Sequence, residues 1–311
     1  GGGDVHVRSL RHQLLRFEVL GPRAHLICTR VLEASSDSNK DKAGQNTSGA
    51  KLWRKLHSLR SPSSLPSRCI LAFTCEDPRL AMPMFKYDPE KMEPLSSSDG
   101  PIESKALLRW KRKLAVSPIW EEDVRQWTKK EKELESSINA RRGRSKEVRT
   151  GVKTRAGAGA SHPCVLMIQH PQGPTQQKGF GSGWDVVIPA GWGTAFWRAL
   201  VYSGARTIGF EERHSIHTEM PQPVFPQDYP DTPASMRLAV NTSDTSLRQY
   251  ERRPPQKRLN YTRLGIASPF SPDWSGALGL EGPKGPVVIA AHGAVRTAAA
   301  ISVGKGRYKK I

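Results

Sequence analysis

The amino-acid sequence predicts a mixed α/β fold, because short apolar runs typical of buried strands alternate with stretches of helical spacing. The predicted strands are residues 14–20, 69–74, 164–169, 184–188 and 286–291. The predicted helices are residues 24–34, 51–59, 117–144 and 194–202. The sequence also indicates a further short strand after the last helix, so that residues 184–209 form a strand–turn–helix–strand unit.

The longest predicted helix begins at Ser117-Pro118, since serine is a preferred N-cap and proline suits the first helical position. Apolar residues then recur at helical spacing, which predicts one buried face that includes both tryptophans. The residues of this predicted face are Trp120, Val124, Trp127, Leu134 and Ile138. Arginines end the helix, where the negative pole of its dipole favours cations.

Composition narrows the possible functions. The chain has 311 residues and a formal net charge of +19, which favours a polyanionic partner over a basic surface kept only for solubility. We expect an intracellular, reducing compartment, because there are only four cysteines, no Cys-x-x-Cys pair and no visible signal peptide. No apolar run is long enough to predict a transmembrane helix.

The positive charge is concentrated in two segments. Residues 105–155 hold 16 Lys and Arg against 7 Asp and Glu, and residues 248–263 hold six cations against one acid. Clusters of this kind bind phosphates in a salt-dependent way, although many such runs are only solvated faces. The predicted RNA-binding residues are Lys111, Arg112, Lys113, Arg141, Arg142, Arg144, Arg252, Arg253, Lys257 and Arg258.

The sequence contains only weak candidates for a reaction centre. Gly191 and Gly193 stand between a strand and a helix, but Phe196 occupies the third glycine position of a dinucleotide fingerprint, so a tight packing turn is favoured. Cys164 is expected to be an inert core thiol. A solvent-exposed, proline-rich loop is expected for His214, His217 and Glu219, and solvated charges for Asp185, Glu211 and Glu212. We predict no catalytic residue, metal or cofactor.

Residues 183–206, GWDVVIPAGWGTAFWRALVYSGAR, resemble the signature block of the POPLD domain, a family found in the largest protein subunit of eukaryotic nuclear ribonuclease P and ribonuclease MRP. Further segments agree in the same order over roughly residues 10–274. They are LRFEVLGPRAHLI (15–27), LHSLRSPSSLPSRCILAFTCEDPRL (56–80), SPIWEEDVRQ (117–126), INARR (138–142), FPQDYPDT (225–232) and RRPPQKRLNYTRLGIASPF (252–270). The predicted structural signature comprises Trp184, Asp185, Pro189, Gly191, Trp192, Gly193, Trp197 and Gly204.

The resemblance implies an α/β fold like that of the glycine-cleavage T-protein, without its folate chemistry. It also implies a non-catalytic scaffold and RNA-binding subunit in a particle whose RNA cleaves the 5′ leader of precursor tRNA, with a further part in rRNA processing. The implied partners are ribonuclease P RNA, MRP RNA and other protein subunits, with precursor tRNA contacted indirectly and no membrane. The implied location is the nucleus and nucleolus.

We expect four segments on this basis. Residues 1–104 form a T-protein-like part with polar linkers, 105–163 a basic and partly disordered helical insertion, 164–281 the POPLD core and 282–311 a diverged basic tail. Two other functions stay open. The chain could be a protein-docking module anchored by Trp192 or Trp197, or a folate- or nucleotide-using transferase built on the turn before residue 194.

Overall fold

The computed structural model describes most of the chain, in two compact units, Gly1–Glu212 and Arg213–Ile311. The described residues are 6–35, 47–66, 68–82, 94, 110–144, 153–154, 156–157, 161–170, 181–220, 223–230, 232–266 and 269–271, with the strand backbones of 287–289 and 295–297. Most of the predicted tail, 282–311, lies outside them, as do residues 105–109 at the start of the basic segment 105–163 and most of its residues 145–160. The four predicted segment boundaries stay a prediction. No helix in the described ranges is long and apolar enough to cross a membrane.

The first unit is built on a four-stranded antiparallel sheet. Its strands are β1 (Leu14–Leu20), β2 (Ile70–Thr74), β3 (Cys164–Gln169) and β4 (Gly183–Pro189), in the order β1-β4-β3-β2. This confirms four predicted strands and the mixed α/β class, whereas the likeness to the T-protein stays a prediction. The strand predicted near residue 209 is wrong: residues 205–209 are irregular, and Ile208 is 49% exposed, so they offer no face to bury.

The described part of this unit contains five complete α-helices: α1 (Ala24–Val31), α2 (Thr47–Leu56), α3 (Glu122–Lys130), α4 (Glu135–Arg144) and α5 (Gly193–Tyr202). The prediction of one helix over residues 117–144 is therefore wrong. The Ser117 hydroxyl does cap a helix, accepting a hydrogen bond from the Ile119 amide, but that helix is a single 3-10 turn, Pro118–Trp120. The α-helix that follows is interrupted at residues 131–134.

Tertiary hydrogen bonds explain the interruption. The Glu131 carbonyl accepts from the Ser161 amide at 3.1 Å, and the Glu133 carbonyl accepts from the Arg79 guanidinium at 2.7 Å. A continuous helix would need these carbonyls for its own ladder. The break also divides the predicted buried face: Leu134 is 70% exposed whereas Ile138 is fully buried.

The expectation that Trp120 and Trp127 are core residues is not confirmed, because neither is fully buried. Trp120 is 53% exposed, because it ends the separate 3-10 turn rather than continuing the face of α3. Trp127 is half-buried on α3. Trp110 is also half-buried, and its indole Nε1 donates to the Ile70 carbonyl at 2.8 Å.

Both faces of the sheet are covered. On one face, Trp184, Val186 and Ile188 of β4 pack in a large apolar core with side chains from α1, α2 and α5. On the other face, a smaller cluster joins Cys164 and Leu166 of β3 and Ala72 of β2 to Ile119, with half-buried Val124 of α3 beside it. The buried Cys164 agrees with the prediction of a core thiol.

The described part of the second unit is mainly helical. Helix α6 (Phe210–Glu219) crosses the boundary between the units, and α7 (Pro233–Glu251) follows it. The Thr232 hydroxyl caps α7 by accepting from the Ser235 amide at 3.3 Å, and Pro233 occupies the first helical position. A hairpin of β5 (Val287–Ile289) and β6 (Val295–Thr297) follows, which confirms the strand predicted at 286–291.

A buried histidine links the two helices α1 and α2 to the sheet. His25 Nε2 lies 2.8 Å from the Leu56 carbonyl oxygen, so this ring nitrogen is the donor. His25 Nδ1 then accepts from the Trp184 indole at 3.1 Å. Burial lowers the pKa of His25 to about 4, since the cation would lose its hydration.

The stability of the first unit should therefore fall in mild acid. The pKa of His25 is about 4 in the folded state and near 6.5 in the unfolded chain, so the unfolded chain takes up the proton first. The contribution of the neutral His25 to the free energy of unfolding is complete above pH 6.5. As the pH falls from 6.5 to 4, the free energy of unfolding decreases by on the order of 3 kcal/mol. Urea unfolding at a series of pH values measures this.

The His25→Gln variant should begin less stable but lose less between those two pH values than the unmutated chain does. His214→Gln, at an exposed histidine of α6, is the matched control and should keep the full loss. An equal pH dependence in all three proteins would contradict the assignment to His25.

The start of β4 has no room for a side chain. A Cβ built on Gly183 would lie 2.0 Å from the Val19 carbonyl oxygen and 2.9 Å from Leu20 Cα. Both neighbours are backbone of β1, which is paired to β4 here, so they cannot move without breaking the strand pairing. Only glycine fits this position.

Gly183→Ala should consequently lower the free energy of unfolding by about 3 kcal/mol, the upper end of the usual cost of overpacking. Gly209→Ala is the control: a Cβ there meets nothing within 4 Å, and its effect should stay within about 0.5 kcal/mol. Chemical unfolding of the two variants measures the difference. Equal stabilities would mean that β1 and β4 do not approach as described.

Candidate RNA-binding surface and its ion-pair network

The predicted signature residues surround the turn between β4 and α5. Gly191 has a φ of +96°, which favours glycine, and a Cβ on Gly193 would lie 2.7 Å from Leu15 Cδ1. These contacts support the interpretation of the two glycines as a packing turn. Gly204, with a φ of +97°, follows the end of α5.

The other signature side chains differ in their environment. Trp184 and Trp192 are fully buried, and Pro189 is buried at the end of β4. Trp197 is 48% exposed on α5, and its ring lies 6.4 Å from that of Phe17. Of the two tryptophans predicted as docking anchors, Trp192 is therefore excluded by burial, whereas Trp197 is accessible.

Two cations lie over the ring of Trp192. The Arg79 guanidinium carbon lies 5.8 Å from the Trp192 ring centroid and Lys132 Nζ lies 5.0 Å from it, both within cation–π range. Lys132 also donates to the Gly191 carbonyl at 2.7 Å. The signature turn is thus attached directly to the segment between α3 and α4.

Arg79 connects this turn to the basic helix α4. Its guanidinium donates to both carboxylate oxygens of Asp77 and, at 3.1 Å, to Glu135, and its side chain is only 8% exposed. Burial alone would lower the pKa of Arg79, but the carboxylates of Asp77 and Glu135 raise it overall. The described contacts make Arg79 the centre of an ion-pair network that the sequence analysis did not find.

The predicted cations of α4 are partly engaged in the same network. Arg141 forms a two-bond ion pair with Glu133, and this hydrogen bonding lowers the pKa of the Glu133 carboxyl. Arg142 donates to the Arg79 carbonyl and, at 3.1 Å, to Asn139. Arg144 is exposed at the end of α4.

The predicted cluster at residues 111–113 is exposed on the first unit. Lys111, Arg112 and Lys113 lie at the start of a 3-10 helix, Arg112–Ala115, that contacts β2. Leu114 in this helix is buried, so the cations occupy the outer side of a packed turn. This arrangement suits phosphate contacts.

The second unit presents its cations on an ordered loop after α7. The rings of Tyr250, Tyr261 and Phe270 lie 5.3–5.6 Å from one another, and the Tyr250 hydroxyl donates to the Leu259 carbonyl at 2.6 Å. We call these three rings the aromatic clasp. It attaches Tyr261 and Phe270 to Tyr250 near the end of α7, and the loop that it holds is residues 252–266.

Arg258 differs from the other predicted cations of this loop. Its guanidinium donates to the carbonyls of Glu251 and Arg253 at 2.5 and 2.7 Å, and it lies 5.9 Å from the Tyr250 ring centroid. It therefore stabilises the C-terminal end of α7, where the helix dipole favours a cation. Arg252, Arg253 and Lys257 are exposed.

One group of side chains in the described ranges has the spacing of a metal site. Ligand atoms of Glu18, His170 and Asp185 lie within 4.8 Å of one another on one face of the sheet. Arg16 Nε and His170 Nε2 both lie 2.8 Å from the same oxygen of Asp185. Burial opposes ionisation of Asp185, but the hydrogen bonds from His170 and Arg16 lower its pKa overall. Because Arg16 already supplies the compensating positive charge, we interpret this group as an ion-pair cluster.

The expectation of a solvated charge is therefore wrong for Asp185, whose buried carboxylate is paired. Glu211 and Glu212 are exposed at the start of α6. The expected loop around the two histidines is also wrong, because His214 and His217 lie on α6. His214 is exposed and His217 is buried, and within the described ranges they do not belong to a metal-like group.

Comparison with known proteins agrees with the resemblance noted in the sequence. Residues 183–274 match the POPLD (NUC188) domain family. The chain is 30% identical over 302 residues to the "Ribonucleases P/MRP protein subunit POP1" of Homo sapiens, an alignment that covers 87% of this chain and 28% of that protein. It is 26% identical over 289 residues to the protein of the same name from Arabidopsis thaliana, covering 88% of this chain and 33% of the relative.

A third relative, subunit pop1 of Schizosaccharomyces pombe, is 35% identical over 99 residues, covering 30% of this chain and 14% of that protein. The chain spans about a third or less of the length of these relatives. Residues 183–274 thus carry a match to the POPLD domain. Over most of its length the chain is homologous to the POP1 subunits of ribonucleases P and MRP.

Removing Arg79 should be costly. Arg79→Ala leaves Asp77 buried without its cation and removes the hydrogen bond to the Glu133 carbonyl, so the free energy of unfolding should fall by about 3 kcal/mol or more. Arg8→Ala is the matched control, because the Arg8–Glu122 pair is exposed and should contribute less than about 1 kcal/mol. Urea unfolding measures both changes, and a small effect of Arg79→Ala would contradict a central role.

Proposed function

We propose that the chain is a non-catalytic, RNA-binding part of a ribonuclease P or MRP particle. The assignment to this particle is supported by the relatives, which are subunits of these ribonucleases by name. The net charge of +19 and the exposed cations on both units support RNA as the partner. We propose that the chain binds the RNAs and the other protein subunits of the particle. We also propose that it supports 5′ maturation of precursor tRNA and rRNA processing, and that it is located in the nucleus and nucleolus.

The loop held by the aromatic clasp carries the RNA-binding proposal. Arg252, Arg253 and Lys257 are exposed on a segment that three rings and the Arg258 guanidinium hold in place. Cations on a fixed loop lose less conformational entropy on binding a phosphate backbone than cations on a free chain. The loop therefore offers a preorganised surface for RNA.

A docking role is a second candidate, favoured by one surface. Trp197, Val201 and Tyr202 of α5 are 48%, 41% and 57% exposed. Exposed aromatic side chains are frequent anchors of protein interfaces. This surface is compatible with RNA binding elsewhere, so a protein partner and an RNA partner need not exclude each other.

The test is recovery of RNA with the tagged chain from nuclear extract, followed by sequencing. Ribonuclease P and MRP RNAs should be enriched, and Arg252→Glu combined with Arg253→Glu should reduce recovery at least tenfold through lost phosphate contacts and added repulsion. The control is Arg206→Glu combined with Arg237→Glu, which makes the same charge change at two exposed arginines outside the loop. It should retain most of the recovery.

Two outcomes would contradict the proposal in different ways. Equal losses in both double variants would mean that only the net charge matters and the loop is not the surface. Recovery of protein subunits without either RNA would favour the docking function instead.

A further inference from the structure

The junction of α4 and α5 contains more positive than negative charge. The two oxygens of Glu135 bind different cations, Arg79 at 3.1 Å and Arg198 at 3.4 Å. The guanidinium of Arg142 donates a hydrogen bond to the Arg79 carbonyl. With the Arg141–Glu133 pair included, the charged side chains in this network are five cations and three acids: Arg79, Lys132, Arg141, Arg142, Arg198, Asp77, Glu133 and Glu135.

Arg142 is incompletely satisfied in this setting. Its Nε is buried and has no hydrogen-bond partner among the described residues, although its terminal nitrogens donate to Arg79 and Asn139. Burial lowers the pKa of Arg142, the Glu135 carboxylate raises it, and the charges of Arg198 and Arg79 lower it again, so that the pKa falls overall. A partly buried guanidinium beside two others is stabilised when a further anion lies near it.

Arg198 leaves this excess charge accessible to a ligand. Its side chain is 50% exposed, and its one described partner is the Glu135 carboxylate at 3.4 Å, at the long end of hydrogen-bond distances. A guanidinium binds a phosphate group through two parallel hydrogen bonds, and a single phosphate can bridge neighbouring arginines. The geometry therefore suits a phosphate better than a further carboxylate of this basic chain.

We propose that Arg142 and Arg198 bind a phosphate group of the RNA backbone at the junction of α4 and α5, with Arg79 as the positioning residue behind them. This inference rests on the proposed RNA-binding function and adds a specific site to it. Arg198 was not among the cations that the sequence indicated, because it lies on the near-neutral α5 and not in a charged run. The site joins the basic helix to the helix of the POPLD signature.

Inorganic phosphate provides a test that does not need RNA. It should raise the melting temperature of the chain along a saturating curve, beyond the effect of chloride at equal ionic strength. Arg198→Gln should abolish the saturating part and keep the general salting effect that phosphate has on any protein. The matched control is Arg206→Gln, at an exposed arginine shortly after α5, which should behave like the unmutated chain.

A 20-nucleotide single-stranded RNA provides the second arm. Arg198→Gln should weaken its binding about tenfold, the effect of one charge-assisted hydrogen bond, and should lower the slope of log affinity against log salt by about 0.7. Arg142→Lys keeps the positive charge but removes the guanidinium that can form two parallel hydrogen bonds. It should therefore weaken RNA binding with little change in the slope of log affinity against log salt. Arg206→Gln should change neither quantity.

The outcomes separate this site from the proposed function. Identical phosphate curves for Arg198→Gln and Arg206→Gln would overturn the site. RNA affinity lost in the Arg252→Glu, Arg253→Glu chain but unchanged in Arg198→Gln would also overturn the site and leave RNA binding intact. If the unmutated chain binds no RNA, the proposed function fails, and the phosphate curves alone decide whether the site binds anions.

Discussion

The interactions of the Arg79 guanidinium determine the arrangement of much of the first unit. It binds Asp77, Glu135 and the Glu133 carbonyl, and it lies against Trp192. These partners come from three separate parts of the chain, so one side chain fixes the signature turn, the break between α3 and α4, and the direction of α4. Because it is buried, these bonds are shielded from solvent screening, unlike those of surface pairs.

The basic residues of the chain therefore serve two purposes. Arg79, Arg141 and Arg258 hold the fold together through carboxylates and helix carbonyls. Arg252 and Lys257 stand exposed on a braced loop. The formal charge of +19 does not distinguish the two groups, since an arginine in an ion pair and an exposed arginine contribute equally to it.

The sequence predicted the elements whose signals are local. All four strands of the sheet and α5 follow from apolar runs and a glycine turn. The break at 131–134 could not be predicted, because Arg79 and Ser161, which bind the carbonyls there, are about 30 to 50 residues distant. Helix α7 was missed although Thr232-Pro233 is a recognisable start, because its apolar residues are sparse and mostly exposed. The role of Arg198 likewise depends on a partner from another helix.

The position of β1 has a consequence for the way this protein can be divided. β1 is an edge strand that carries Arg16 and Glu18, and charges on an edge discourage pairing between molecules. The strand it covers, β4, is largely apolar and buried. A recombinant fragment restricted to residues 183–274 would begin with β4 bare on both sides, as an aggregation-prone ribbon. The boundary of the matched POPLD domain therefore does not coincide with the boundary of the sheet.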